Sequence, residues 1–134
     1  MNSVVSEMDN LKKYKSLPVN IHYKVWLESV HGEGIMGDGK WTLLRLIDEK
    51  GSLSAAANAL GISYRKAWGD IKKTETLLGF PLINKQRGGA LGGASTLTKL
   101  GAQWLELYKS FHNRMNKIFE KEIELFLRKL ENMK

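Results

Sequence analysis

The chain has 134 residues, 43% of them hydrophobic and 26% charged, which is enough for one compact domain with its own core and too few for two ordinary ones. It holds no cysteine, and this excludes a disulfide framework, a thiolate metal site and a cysteine nucleophile together. Lys and Arg number 21 against 14 acids, a net charge of +7 with a pI near 9.6, so the first partner to expect is a polyanion.

Residues 1–18 mix polar and charged side chains without a period and close on Pro18, so they read as a flexible N-terminal arm. They lack the apolar stretch of a signal peptide, and no run in the chain approaches the ~20 apolar residues that span a bilayer. A cytoplasmic protein without membrane contact is expected. From Ile21 to Leu27 the sequence alternates, with Ile21, Tyr23, Val25 and Leu27 on one face and His22, Lys24 and Trp26 on the other, which predicts a strand. His31 to Gly39 contains four glycines and reads as a loop.

Lys40 to Lys50 has a helical apolar face made by Trp41, Leu43, Leu44, Leu46 and Ile47, and Gly51 stops it. Ser52 then suits the N-cap of a short alanine-rich helix, Leu53 to Leu60, ended by Gly61. Ser63 caps a third helix that runs to about Leu78, and its positions Ala67, Ile71, Thr74 and Leu78 share one buried face. Pro81 to Thr98 holds no helix pattern. It reads as a β-hairpin whose tip carries Gly88, Gly89, Gly92 and Gly93. Lys99 to Met133 is one long helix without an internal proline. The expected fold is mainly α with a small β wing: an arm (1–18), a winged helix-turn-helix (19–98) and a long C-terminal helix (99–134).

Most of the charge excess falls in residues 63–100, where Arg65, Lys66, Lys72, Lys73, Lys85, Arg87 and Lys99 face only Asp70 and Glu75. The same stretch holds the second helix of a helix-turn-helix unit. The N-terminal residues of such a helix meet base edges when it lies in the major groove. Tyr64, Arg65 and Lys66 are therefore the candidate base contacts, beside Ser63. Ser54, Lys72, Lys73, Lys85 and Arg87 are candidates for phosphates or the minor groove, and Gly88 and Gly89 give a wing tip without bulk. The plainer reading is an αα-hairpin with a solvated basic face and a surface turn. Trp68 adjoins Ala67 on a helix that must pack, so it is expected to pack rather than stack on a base.

Two phosphate-loop patterns need weighing. Gly32-Glu-Gly-Ile-Met-Gly37 satisfies G-x-G-x-x-G, yet no later segment supplies the βαβ units of a dinucleotide fold. Gly34 to Lys40 satisfies G-x-x-x-x-G-K, yet Trp41 stands where a P-loop needs Ser or Thr, and Glu33 and Asp38 repel phosphate. No catalytic cluster, cofactor site or metal site emerges. Asp48 and Glu49 diverge on their helix, and His22, His31 and His112 share no ligand spacing. An enzyme is not expected.

The long helix carries an apolar stripe from Leu100 to Met133, with Trp104, Tyr108, Phe111, Met115, Ile118, Phe119, Ile123, Phe126 and Leu130 as its candidate dimerisation residues. The stripe is about 50 Å long, more than one small domain covers, so burial against a second copy is expected. Such a homodimer reads two half-sites on double-stranded DNA. The alternative is a protein-interaction module that uses the same surfaces, with DNA incidental.

Gly37-Asp-Gly-Lys-Trp-Thr-Leu-Leu44, Gly51-Ser-Leu-Ser-Ala-Ala-Ala57 and Ser63-Tyr-Arg-Lys-Ala-Trp68 closely resemble the molybdate-responsive ModE-type regulators of prokaryotes. So does Gly88-Gly-Ala-Leu-Gly-Gly93 followed by Leu97-Thr98 and Gly101. The resemblance covers about residues 20–112. It implies a dimeric, LysR-like winged helix that binds operator DNA through the helix at Ser63 and the wing at Gly88. Full-length members follow this domain with molybdate-binding domains, which the sequence to Lys134 does not include. A stand-alone ModE-like DNA-binding domain is expected.

Overall fold

The computed structural model describes residues 16–85 and 94–133. They fall into two units, one of residues 26–108 and one that joins the described residues up to Val25 with those from Lys109 onward. In the larger unit β1 (Leu27–Glu28) pairs antiparallel with β2 (Gly34–Met36), Leu27 opposite Met36, and the register slips between Leu27 and Glu28. This corrects two expectations. The stretch His31 to Gly39 holds a strand, and the alternation from Ile21 enters a ladder only at Leu27. Residues 21–28 do alternate half-buried and exposed, but Ile21 and Tyr23 lie against a helix, which offers no ladder to join.

Three helices follow. α1 (Asp38–Lys50) starts two residues before the predicted Lys40 and buries Leu43, Leu44 and Ile47. α2 (Leu53–Leu60) is capped by Ser52, whose hydroxyl accepts from the Ala55 N–H at 3.0 Å. Small side chains at Ala56 and Ala57 are buried there with Leu53, which lets the helices approach closely. Gly61 then takes the left-handed conformation at φ 68°, where an L side chain would be strained. α3 (Tyr64–Leu78) is capped by Ser63, whose hydroxyl accepts from the Lys66 N–H at 3.0 Å. Ala67, Ile71 and Thr74 are buried as the periodicity predicts.

β3 (Ile83–Lys85) and β4 (Ser95–Leu97) form the base of the wing, with Ile83 opposite Leu97 and Lys85 opposite Ser95. The tip, with Arg87, Gly88 and Gly89, lies outside the described residues. α4 runs unbroken from Lys99 to Glu131. Its start is fixed by Thr98, whose hydroxyl accepts from the Gly101 N–H at 2.8 Å and donates to the Pro81 carbonyl at 2.7 Å. Gly101 is buried, and a Cβ there would overlap the carbonyl oxygen of Leu82. The core of this unit joins Met36, Leu43, Leu44, Ile47, Leu53, Ala56, Ala57, Ala67, Ile71, Leu82, Ile83, Leu105 and Tyr108.

In the smaller unit, residues before Val25 pack on the later turns of α4. Leu17, the end of the predicted arm, is buried with Ile123 and Leu127, and Ile21, Tyr23 and Leu130 close around them. The Tyr23 ring stacks on Phe119 at 4.1 Å, and its hydroxyl donates to Asn116 Oδ1 at 2.6 Å. The rest of the predicted arm, residues 1–15, lies outside the described residues.

Candidate nucleic-acid interface

The surface that bears the predicted base contacts is the first turn of α3. The Ser63 cap satisfies an amide that the helix leaves open, and the left-handed Gly61 turns the chain sharply out of α2. Tyr64, Arg65 and Lys66 then stand exposed on the opening turn, on the side away from Ala67 and Ile71. Ser54 is exposed on the first turn of α2. Lys72 and Lys73 are exposed two turns along α3. Lys85 ends β3, beside the undescribed tip.

The cations of this surface are differently engaged. Lys66 Nζ lies 3.2 Å from Asp70 Oδ2, one turn on. Lys72 Nζ lies 3.1 Å from Glu75 Oε1 and 4.5 Å from the Trp68 ring centroid. Trp68 itself is half-buried against the core, as expected for a packing residue. Arg65 and Lys73 make no ion pair among the described residues. They are the groups of α3 most open to an external anion.

Two residues outside the predicted set shape the surface. Glu75 is buried near the end of α3, and its Oε2 accepts from the Leu82 N–H at 2.6 Å and the Ile83 N–H at 3.3 Å. It thereby ties α3 to the first strand of the wing. A lone Glu on a helix gave no such signal in the sequence, because its partners are backbone amides. Lys40 is the second. Its Nζ donates to the Gly34 carbonyl at 2.8 Å, which closes the Gly34 to Lys40 segment on itself rather than around a phosphate. Burial pushes the Lys40 ammonium below its usual pKa, Asp70 opposes that, and Lys73 and Lys66 add to it, so Lys40 adjoins the basic side of α3.

The residues predicted for dimerisation divide between two environments. Tyr108 is 2% exposed within the core of residues 26–108, where burial, and next the charge of Asp38, raise its phenol pKa. Its side chain is therefore engaged in its own protomer, as is Ile123 at 5% exposure against Leu17. Phe119 and Leu130 also lie partly against the preceding segment. Trp104 packs partly on the larger core, and Phe111 and Met115 are half-buried. Ile118 and Phe126 stay open, at 54% and 53% exposure. Leu107, absent from the predicted stripe, is exposed as well.

Residues 40–102 match the family described as bacterial regulatory helix-turn-helix protein, lysR family. Molybdenum-pterin-binding protein MopB of Rhodobacter capsulatus is 34% identical over 93 residues, which are 67% of this chain and 34% of that protein. Transcriptional regulator ModE of Yersinia pestis is 36% identical over 78 residues, 58% of this chain and 30% of that protein. DNA-binding transcriptional dual regulator ModE of Escherichia coli K12 is 34% identical over 79 residues, 59% of this chain and 30% of its own length. The chain thus spans about a third of the length of the curated relatives it matches. Among solved structures, the crystal structure of the CbnR_DBD–DNA complex aligns with a TM-score of 0.54 at 20% identity, covering 67% of this chain and 98% of that one. That likeness shows the winged-helix fold.

Proposed function

This chain carries a helix-turn-helix of the lysR family in its ModE-type form, and from that premise we propose that it is a sequence-specific, homodimeric DNA-binding regulator of transcription. The observation that carries the reading is the opening turn of α3. Tyr64, Arg65 and Lys66 stand exposed on a helix whose start is capped and whose opposite face is locked into the core. That is the arrangement by which a helix of about this length enters a major groove and presents donors to base edges. The wing is tied to α3 through Glu75, and its sequence carries Lys85 and Arg87, which we assign to phosphate contact. The relatives' names supply transcription as the process, and DNA as the partner implies a cytoplasmic site of action in a prokaryote.

Homodimer formation is supported by the open apolar side chains of α4. Ile118 and Phe126 lie on turns whose other side is already occupied by Leu17 and Tyr23. A water-exposed stripe of this kind is stabilised by burial against the same stripe of a second copy.

The deciding experiment selects bound duplexes from a random pool and measures the molar mass of the chain in the same buffer. Enrichment of a palindrome by a species of two chains is the expected result. Binding without enrichment would reduce the protein to a non-specific DNA binder. No binding at low salt would overturn the DNA reading and leave a protein-interaction module.

A further inference from the structure

Among the residues of α3, Gly69 has no explanation inside the protein. Glycine is a poorer helix former than any residue but proline, and position 69 is in the middle of a 15-residue helix. The backbone there is not left-handed, so no turn requires glycine. A Cβ built on it meets nothing within 4 Å, so no neighbouring element requires it either. The fold has room for a side chain at this point and a stability reason to carry one.

The surroundings of Gly69 point outward. Its neighbours on the helix surface, at three and four residues either side, are Arg65, Lys66, Lys72 and Lys73, all exposed. A bare stretch of backbone is therefore framed by four cations. Two of them lean away from it: Lys66 is drawn to Asp70 at 3.2 Å, and Lys72 to Glu75 at 3.1 Å and the Trp68 ring. Both partners lie nearer the buried face, so the ground above Gly69 stays uncovered.

We propose that Gly69 is the point of closest approach between the recognition helix and the DNA, and a specificity-determining position of the interface. Without a Cβ, the helix backbone comes down to the groove between Arg65 and Lys66, which reach bases, and Lys72 and Lys73, which hold flanking phosphates. A side chain at this position props the helix outward and lengthens the reach of Arg65 to its base. This rests on the DNA-binding reading above and adds to it a residue that carries no charge and no donor.

The test uses the full chain with Gly69→Ala and Gly69→Gln, the duplex enriched by the wild type, and a scrambled duplex of equal length. Relief of the helix penalty should raise Tm by about 3–6 °C in Gly69→Ala, so lost binding cannot be assigned to unfolding. Affinity for the enriched duplex should fall about tenfold in Gly69→Ala and about a hundredfold in Gly69→Gln. Affinity for the scrambled duplex should fall less, so the ratio between the two narrows. Wild-type affinities and ratio in both variants would overturn the inference while the DNA reading stands. So would a lower Tm in Gly69→Ala, which would show that the fold itself needs the glycine. A wild type that binds no duplex would overturn both.

Discussion

Arg65 and Lys73 differ in what a loss would mean, although both are exposed cations of α3. Arg65 is exposed on the first turn, and the proposed function gives its guanidinium two donors for guanine acceptors. Arg65→Ala should cost about 1–3 kcal/mol on the enriched duplex and relax preference at particular base pairs, read by repeating the selection with the variant. Lys73→Ala should weaken all duplexes alike and lower the slope of log affinity against log salt by about one, read by titration at several salt concentrations. Tyr108 gives a prediction in the alkaline range. Its phenol pKa is raised in the folded state above 10.0, first by burial and then by Asp38. The neutral phenol thus favours the fold below about pH 10, and that contribution is lost as pH rises through the raised value. Tyr108→Phe should therefore flatten the alkaline decline of stability, measured by denaturant unfolding between pH 9 and 11.5. Lys40 has its pKa lowered chiefly by burial and acts in the opposite sense, but it is common to both proteins and cancels in the comparison.

At the scale of elements, the punctuation of the helices was legible because each signal is local. Ser52 and Ser63 cap through their own next turn, and Gly51, Gly61 and Gly79 end helices in the left-handed conformation. Ser63→Ala should destabilise by about 1 kcal/mol in thermal or denaturant unfolding, since it leaves the Lys66 amide without its partner. The joints between elements were not legible in the same way. Gly101 read as one residue of a long helix, yet its missing Cβ is what lets α4 meet the carbonyl of Leu82. Gly101→Ala should cost about 1–3 kcal/mol through forced displacement of backbone, with the loss read in the same unfolding assay. The β1–β2 hairpin was missed for a related reason. Two or three residues per strand and a turn dense in glycine leave too little alternation to separate strand from loop.

For the molecule as a whole, the decisive question was what covers the long apolar stripe of α4. The sequence showed that the stripe exceeds what a small domain hides. It did not show that Tyr108 and Ile123 are satisfied within their own chain, since that depends on where Asp38, Leu17 and Tyr23 come to lie. The open residues Ile118 and Phe126 define the test. Ile118→Glu combined with Phe126→Glu should halve the molar mass in sedimentation and abolish the preference for a palindrome, while far-ultraviolet circular dichroism is retained. An unchanged mass would overturn the proposal that these positions join two copies of the chain.

The sequence by itself determined the winged helix-turn-helix and the cations exposed on α3, because caps, glycine stops and helical periods all act within a few residues. The same nearness made the surface of α3 readable, since exposed neighbours on one helix are set by the 3.6-residue turn. Only the tertiary structure decided which of those cations are held back by Asp70 and Glu75, how Glu75 joins α3 to the wing, and which part of α4 remains open. These depend on backbone amides, carbonyls and apolar faces brought together from distant parts of the chain, where residue type carries little information about the partner.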